Sequence, residues 1–187
     1  MIVGLAGEDL PPFRFRNPGW EGIGLKNLKT RNFVVTIVIS VLYVVLVYAF
    51  APISFHQIQV RIANALIGLV PFLGWPGVYG LALGVLLGNL SSPLGPIDLL
   101  SVLPSFAGLV IIYKLRNISV ILGLQIYSTI ISLWVAFMLY FVFNLPYFVT
   151  FIYVFIGVTI ATTVLGYLLY KSTLRLGFKN LLKESVT

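Results

Sequence analysis

Six apolar stretches, separated by short clusters of proline, glycine, asparagine and serine, set the pattern of this chain. Phe33 to Ala51 is continuous and of spanning length, since about 20 residues at 1.5 Å each cross the hydrocarbon of a bilayer. It ends at Pro52. After an outer loop from Pro52 to Ile58, the spacing predicts a shorter helix over Gln57 to Phe72, closed by Pro71-Phe-Leu-Gly-Trp-Pro-Gly77. Further helices are predicted over Val78 to Leu90, Asp98 to Tyr113, Ile118 to Phe143 and Tyr147 to Tyr170. The runs do not alternate polar with apolar, which excludes a β-barrel. The expected fold is an all-α membrane protein of six transmembrane helices over residues 32–171, with an N-terminal arm (1–31) and a basic tail (172–187).

Small residues mark where these helices approach one another. Gly80, Gly84 and Gly88 recur every four residues, and Thr36 and Ser40 are four apart on the first helix. Such faces let backbones pack closely in a membrane. Static packing inside the bundle is open for both faces, with a sliding surface as the alternative for the glycines and close approach of another helix for Thr36 and Ser40. Ser91 to Ile97, with Pro93, Gly95 and Pro96, and Asn144-Leu-Pro146 read as outer turns.

Composition confirms the setting: 59% of residues are hydrophobic and 9% charged, where soluble domains carry roughly 25%. The net charge of +7 points to a membrane and not to nucleic acid, because the charges flank the apolar runs. Arg14, Arg16, Lys26, Lys29 and Arg31 precede the first run, Lys114 and Arg116 follow the fourth, and Lys171, Arg175, Lys179 and Lys183 follow the sixth. With six spans and cytoplasmic termini, all of these lie inside, as the positive-inside rule requires. The arm, with Phe13, Phe15 and Trp20 among basic residues, reads as an interfacial segment or a docking arm. Without cysteine there is no disulfide or thiolate chemistry, and a single histidine makes no metal site.

Between Asn32 and Tyr113 the only ionised side chains are Arg61 and Asp98. A charge at membrane depth costs several kcal/mol unless it is paired or hydrated, so each is a functional candidate. Helical spacing places Gln57, Arg61, Asn64 and Gly68 on one face. In the six-span topology Arg61, Asn64, Asn89 and Asp98 converge at the outer ends of helices two to four. A pocket lined by an Arg, an Asp and two amides suits a small, planar, polar solute. Trp134 and Tyr147 lie in the outer half as possible stacking partners or as an interfacial belt. An Arg61 to Asp98 pair that only ties helices together, and an Asp98 that only caps its helix, stand as alternatives. Catalysis has little support: there is no phosphate-binding loop, no H-E-x-x-H and no carboxylate pair in the spans. His56 reads as loop polarity. A membrane enzyme or lipid-handling protein using Asp98 and His56 is the rival of another class. No cofactor is expected.

The segments APISFHQIQVRIANAL and VPFLGWPGVYGLALGVLLGNLSSPLGPIDLLSVLPSFAGLVIIYKLR resemble the QueT family, substrate-binding S components of energy-coupling factor (ECF) transporters. The resemblance is densest from about Tyr43 to Arg116. It implies an S-component bundle that binds a scarce micronutrient outside the cell. Delivery then follows docking on a transmembrane scaffold subunit driven by two ATPase subunits. The implied solute is a queuosine precursor, a deazaguanine-type base, with a different vitamin-sized solute as the alternative. Scaffold contact by the small face of helix one falls near Thr36 and Ser40. Asn64 stands where family members commonly carry Glu, exchanging two acceptor oxygens for one acceptor and two donor hydrogens.

Overall fold

The computed structural model describes residues 28–50 and 61–178. Among them are six helical segments and no strand: α1 (Leu28–Ala49), α2 (Ile62–Leu73), α3 (Trp75–Gly88), α4 (Gly95–Leu115), α5 (Val120–Phe143) and α6 (Tyr147–Leu176). Four of these, α1, α4, α5 and α6, are long and apolar enough to cross a membrane. Residues 1–27 of the expected arm, the loop carrying His56 and Gln57, and residues 179–187 lie outside the described residues.

The two short helices gain reach from their winding. α2 is a 3₁₀ helix over Ile62–Leu69 before it relaxes to α geometry at Val70–Leu73. A 3₁₀ helix rises about 2.0 Å per residue against 1.5 Å, so twelve residues cover about 22 Å. A 3₁₀ turn, Asn89–Ser91, likewise lengthens α3.

Contacts between helices fix their directions. A Cβ on Gly80 would meet Thr36 and Ile39, one on Gly84 would meet Tyr43, and one on Gly88 would meet Val47. The positions advance together, so α1 and α3 run parallel and α2 returns between them. Trp75 lies against Tyr113 and Tyr79 against Phe106, with centroids 5.1 and 6.1 Å apart, which makes α4 antiparallel to α3. Gly108 beneath Tyr127 and Gly123 against Ile112 make α5 antiparallel to α4. A three-residue link, Asn144 to Pro146, turns α6 back along α5, with Asn144 in the left-handed region at φ 54°. α6 runs parallel to α2: Gly68 crosses Gly166, and Phe72 stacks on Tyr170 at 5.0 Å. The six segments thus alternate in direction. Arg31, Lys114, Arg116, Lys171 and Arg175 share one end of the bundle, and Arg61 is the one basic residue at the other end among the described residues.

The helices depart from the sequence reading in several ways. α1 begins at Leu28, inside the expected arm, and α4 begins at Gly95, three residues before Asp98. α6 runs past Tyr170 and is not uniformly α, since Ile160–Leu165 and Leu174–Phe178 are π turns. Hydropathy cannot report such turns, because one extra residue per turn leaves composition unchanged. Thr36 and Ser40 face α3: Thr36 Oγ1 donates to the Pro76 carbonyl at 3.3 Å, and Ser40 is 2% exposed. The small face of α1 is therefore packed on this chain's own third helix, the internal-packing alternative for those two residues. The outward face of α1, with Phe33, Val38, Val41 and Val45, is apolar and exposed.

The tightest crossing yields a prediction. A Cβ on Gly68 would overlap the backbone carbonyl of Gly166, which cannot rotate away. Gly68→Ala is expected to destabilise the fold by about 1–3 kcal/mol, the usual cost of overpacking. At Gly88 the nearest atom is a Val47 methyl at 3.3 Å, so Gly88→Ala is expected to be near neutral. Thermal unfolding of both variants in detergent checks the contrast.

Candidate functional site

Two 3₁₀ stretches place the polar side chains. Gly95 adopts φ 72° and Pro96 follows it, starting a 3₁₀ turn over Gly95–Ser101. Residues three apart eclipse in this winding, which sets the Ser101 hydroxyl over the Asp98 carboxylate. Ser101 Oγ donates to Asp98 Oδ1 at 2.6 Å, the length of a charge-assisted bond. Trp134 Nε1 of α5 donates to the same hydroxyl oxygen at 3.0 Å. Asp98 thus does not cap its helix: no side chain caps that terminus.

Arg61 precedes α2 with extended backbone (φ −83°, ψ 89°), and Asn64 sits in the first 3₁₀ turn, its amide N–H donating to the Arg61 carbonyl at 2.8 Å. The single α-helical face expected for Gln57, Arg61, Asn64 and Gly68 is therefore not formed. Arg61 is not helical, Gly68 turns to α6, and Gln57 lies outside the described residues.

Asn89, at the end of α3, joins the two charged residues. Arg61 Nη1 donates to Asn89 Oδ1 at 2.9 Å, and Asn89 Nδ2 donates to the Asp98 carbonyl at 2.9 Å. Arg61 Nη2 and Asp98 Oδ2 stand 3.9 Å apart, a long ion pair between a partly buried guanidinium and a buried carboxylate. Arg61, Asn89, Asp98, Ser101 and Trp134 form one connected chain of polar contacts drawn from α2, α3, α4 and α5.

Beneath it lies a small cavity lined by Tyr43, Arg61, Asn64, Asp98, Ser105 and Tyr127, with Val85, Ile131, Val135 and Val158 as its apolar wall. Its free interior is about 20 Å³, the room of a single water. Tyr43 Oη donates to Asn64 Oδ1 at 2.8 Å. The lining offers a carboxylate acceptor, amide and guanidinium donors, and hydroxyls that act either way, beside an apolar wall. That combination suits recognition of a flat polar molecule.

Of the residues singled out in the sequence, Arg61, Asn64 and Asp98 line the cavity, and Asn89 and Trp134 hold those that do. Tyr147 does not join them; it is half-buried, edge-on to Phe148 at 5.6 Å. Tyr43, Ser101, Ser105 and Tyr127 were missed. Asp98, Ser101 and Ser105 follow at three- and four-residue steps, a helical face that was open to reading. Tyr43 and Tyr127 carried no such signal, since a tyrosine in an apolar run reads as core or interface.

A family model described as QueT transporter matches residues 33–175, which covers the whole of this site. The chain belongs to the QueT transporter family. The match takes in α2 and α3 as well as the four long helices, and with those apolar helices it makes this QueT protein a multi-pass membrane protein. QueT proteins are transporters and not enzymes. No curated protein and no solved structure gives a significant match.

The network also carries stability in this QueT protein. Removing Arg61 strands a buried carboxylate, so Arg61→Ala is expected to cost about 3–5 kcal/mol. Trp134→Phe removes one neutral hydrogen bond and is expected to cost about 1 kcal/mol. Detergent-solubilised thermal denaturation of the two variants tests the order, and equal losses would contradict the network as described.

Proposed function

We propose that this chain is the solute-binding S component of an ECF-type importer, and that its solute is a queuosine precursor with a deazaguanine-type base. The observation that carries the reading is the buried chain from Arg61 through Asn89 and Asp98 to Ser101 and Trp134, in a protein of a transporter family. A bilayer protein that needed only to hold its helices together would be better served by apolar contacts, because desolvation offsets the gain of a buried ion pair.

Six spans, with both termini in the cytoplasm, accord with the alternating directions and with the basic end formed by Arg31, Lys114, Arg116, Lys171 and Arg175. Residues 1–31 then serve as a cytoplasmic arm, 32–171 as the membrane domain and 172–187 as a basic tail. The cavity, at the Arg61 end, opens outward. Asp98 accepts N–H groups of the base, and Arg61 and Asn64 donate to its acceptors. Room for one water is too little for a base, so binding requires the cavity to widen. Release follows docking on a scaffold subunit powered by two ATPases.

The test is equilibrium binding of 7-deazaguanine bases to the purified chain in nanodiscs, with unrelated vitamins as controls. Saturable binding is expected, and Asp98→Asn should weaken it about 10- to 100-fold, the worth of one hydrogen bond to a charged group. A folded protein that binds none of these bases overturns the solute assignment. Co-purification with a scaffold and ATPases tests the importer assignment separately.

A further inference from the structure

We infer that Tyr43 is a positioning residue that fixes the polarity of the site: it holds the Asn64 amide with its nitrogen toward the cavity, so the solute must meet Asn64 with a hydrogen-bond acceptor. The inference rests on the solute-binding reading above.

An asparagine side chain is ambiguous by itself, with one acceptor oxygen and two donor hydrogens of nearly the same shape. What surrounds it decides which end a ligand meets. Here Tyr43 is fully buried and its hydroxyl donates to Asn64 Oδ1 at 2.8 Å. Arg61 lines the same cavity. A phenol has a single hydrogen, and here it is given to Asn64 Oδ1. In that arrangement the amide oxygen points at Tyr43 and the amide nitrogen points away from it. Asn64 is 3% exposed, lines the cavity, and its Nδ2 makes no hydrogen bond among the described residues.

The rest of the network is fixed in the same manner. Asn89 has its oxygen on Arg61 and its nitrogen on the Asp98 carbonyl, so it cannot turn over without breaking both bonds. Ser101 gives its hydrogen to Asp98 Oδ1 and accepts from Trp134. Asp98 Oδ2, 3.9 Å from Arg61, is left as the acceptor on the cavity side. The site therefore presents a donor at Asn64 and an acceptor at Asp98. The complementary solute is a planar ring with a carbonyl oxygen or bare ring nitrogen on one side and N–H donors on the other. A 6-oxo purine-like edge has this pattern. An analogue with an amino group in place of that carbonyl turns hydrogens toward the amide hydrogens and leaves buried donors without partners.

The experiment compares 7-deazaguanine with 2,6-diamino-7-deazapurine, which carries an amino group at C6 and, with it, a bare N1 in place of N1–H, by equilibrium binding to the purified chain. The unmodified protein is expected to prefer the oxo base by about 30-fold or more, the scale of an unsatisfied buried donor. In Tyr43→Phe the amide is free to turn over, and the preference should fall by about fivefold or more with the fold retained, the remainder coming from the N1–H that Asp98 accepts. Asn64→Leu, which removes the donor altogether, should lower the preference by a similar factor. If the unmodified protein binds the oxo base and Tyr43→Phe keeps the full preference, the positioning role is wrong while the solute reading stands. If Tyr43→Phe fails to fold, Asn64→Leu decides: an unchanged preference overturns the inference. Binding of neither base by folded protein overturns this inference and the solute reading together.

Discussion

An arginine and an aspartate inside an apolar bundle can be satisfied only by the protein itself, and the rest of this structure is arranged around that requirement. Isolated burial of either charge would cost more than most of the stability of a small domain. Direct pairing is only part of the solution found here, since Arg61 and Asp98 stand 3.9 Å apart. Asn89 bridges them, taking a hydrogen from the guanidinium and giving one to the backbone of Asp98. The carboxylate receives its short bond from Ser101, which Trp134 in turn supports. Charge satisfaction is thus spread over four helices, and the separation leaves one face of the pair turned to a cavity.

Such a network demands close and exact placement of helices, which the glycines make possible. Gly84 and Gly88 bring α3 against Tyr43 and Val47 of α1, so the tyrosine reaches Asn64. Gly108 admits the Tyr127 ring between α4 and α5. The crossing of Gly68 and Gly166 sets α2, too short to be held by its own length, against the last helix. In a membrane the lipid tails are as apolar as leucine, and contact of this kind supplies the packing that the hydrophobic effect does not. The parts of the site furthest apart in sequence, Tyr43 and Tyr127, meet at the cavity because of it.

The helical class and the identity of the polar residues were legible because each is a contrast against its surroundings. Arg61, Asn64, Asn89 and Asp98 stand out in apolar runs, and pattern alone brought them to one place. Their local geometry was not legible. Spacing arguments assume 3.6 residues per turn, whereas Ile62–Leu69 and Gly95–Ser101 wind as 3₁₀ helices, and the expected face including Gly68 dissolves. Thr36 and Ser40 show the same limit. Small residues announce a close approach, but only the packing of α3 tells which surface makes it. Tyr43 was invisible for a different reason: its role lies in one hydroxyl on a side chain that composition counts as apolar.

The amide at position 64 ties these observations together. A carboxylate in its place, at the start of α2, would compete with Asp98 for Arg61. Asparagine removes that second negative charge from a cavity that already holds one, and like charges in an apolar enclosure are not both kept ionised without penalty. With its oxygen engaged by Tyr43, the amide has only its hydrogens left to give, and Asp98 is the one carboxylate among the residues that line the cavity. A single side chain at this position thus sets the balance of donors and acceptors across the site without requiring a change in the bundle that surrounds it.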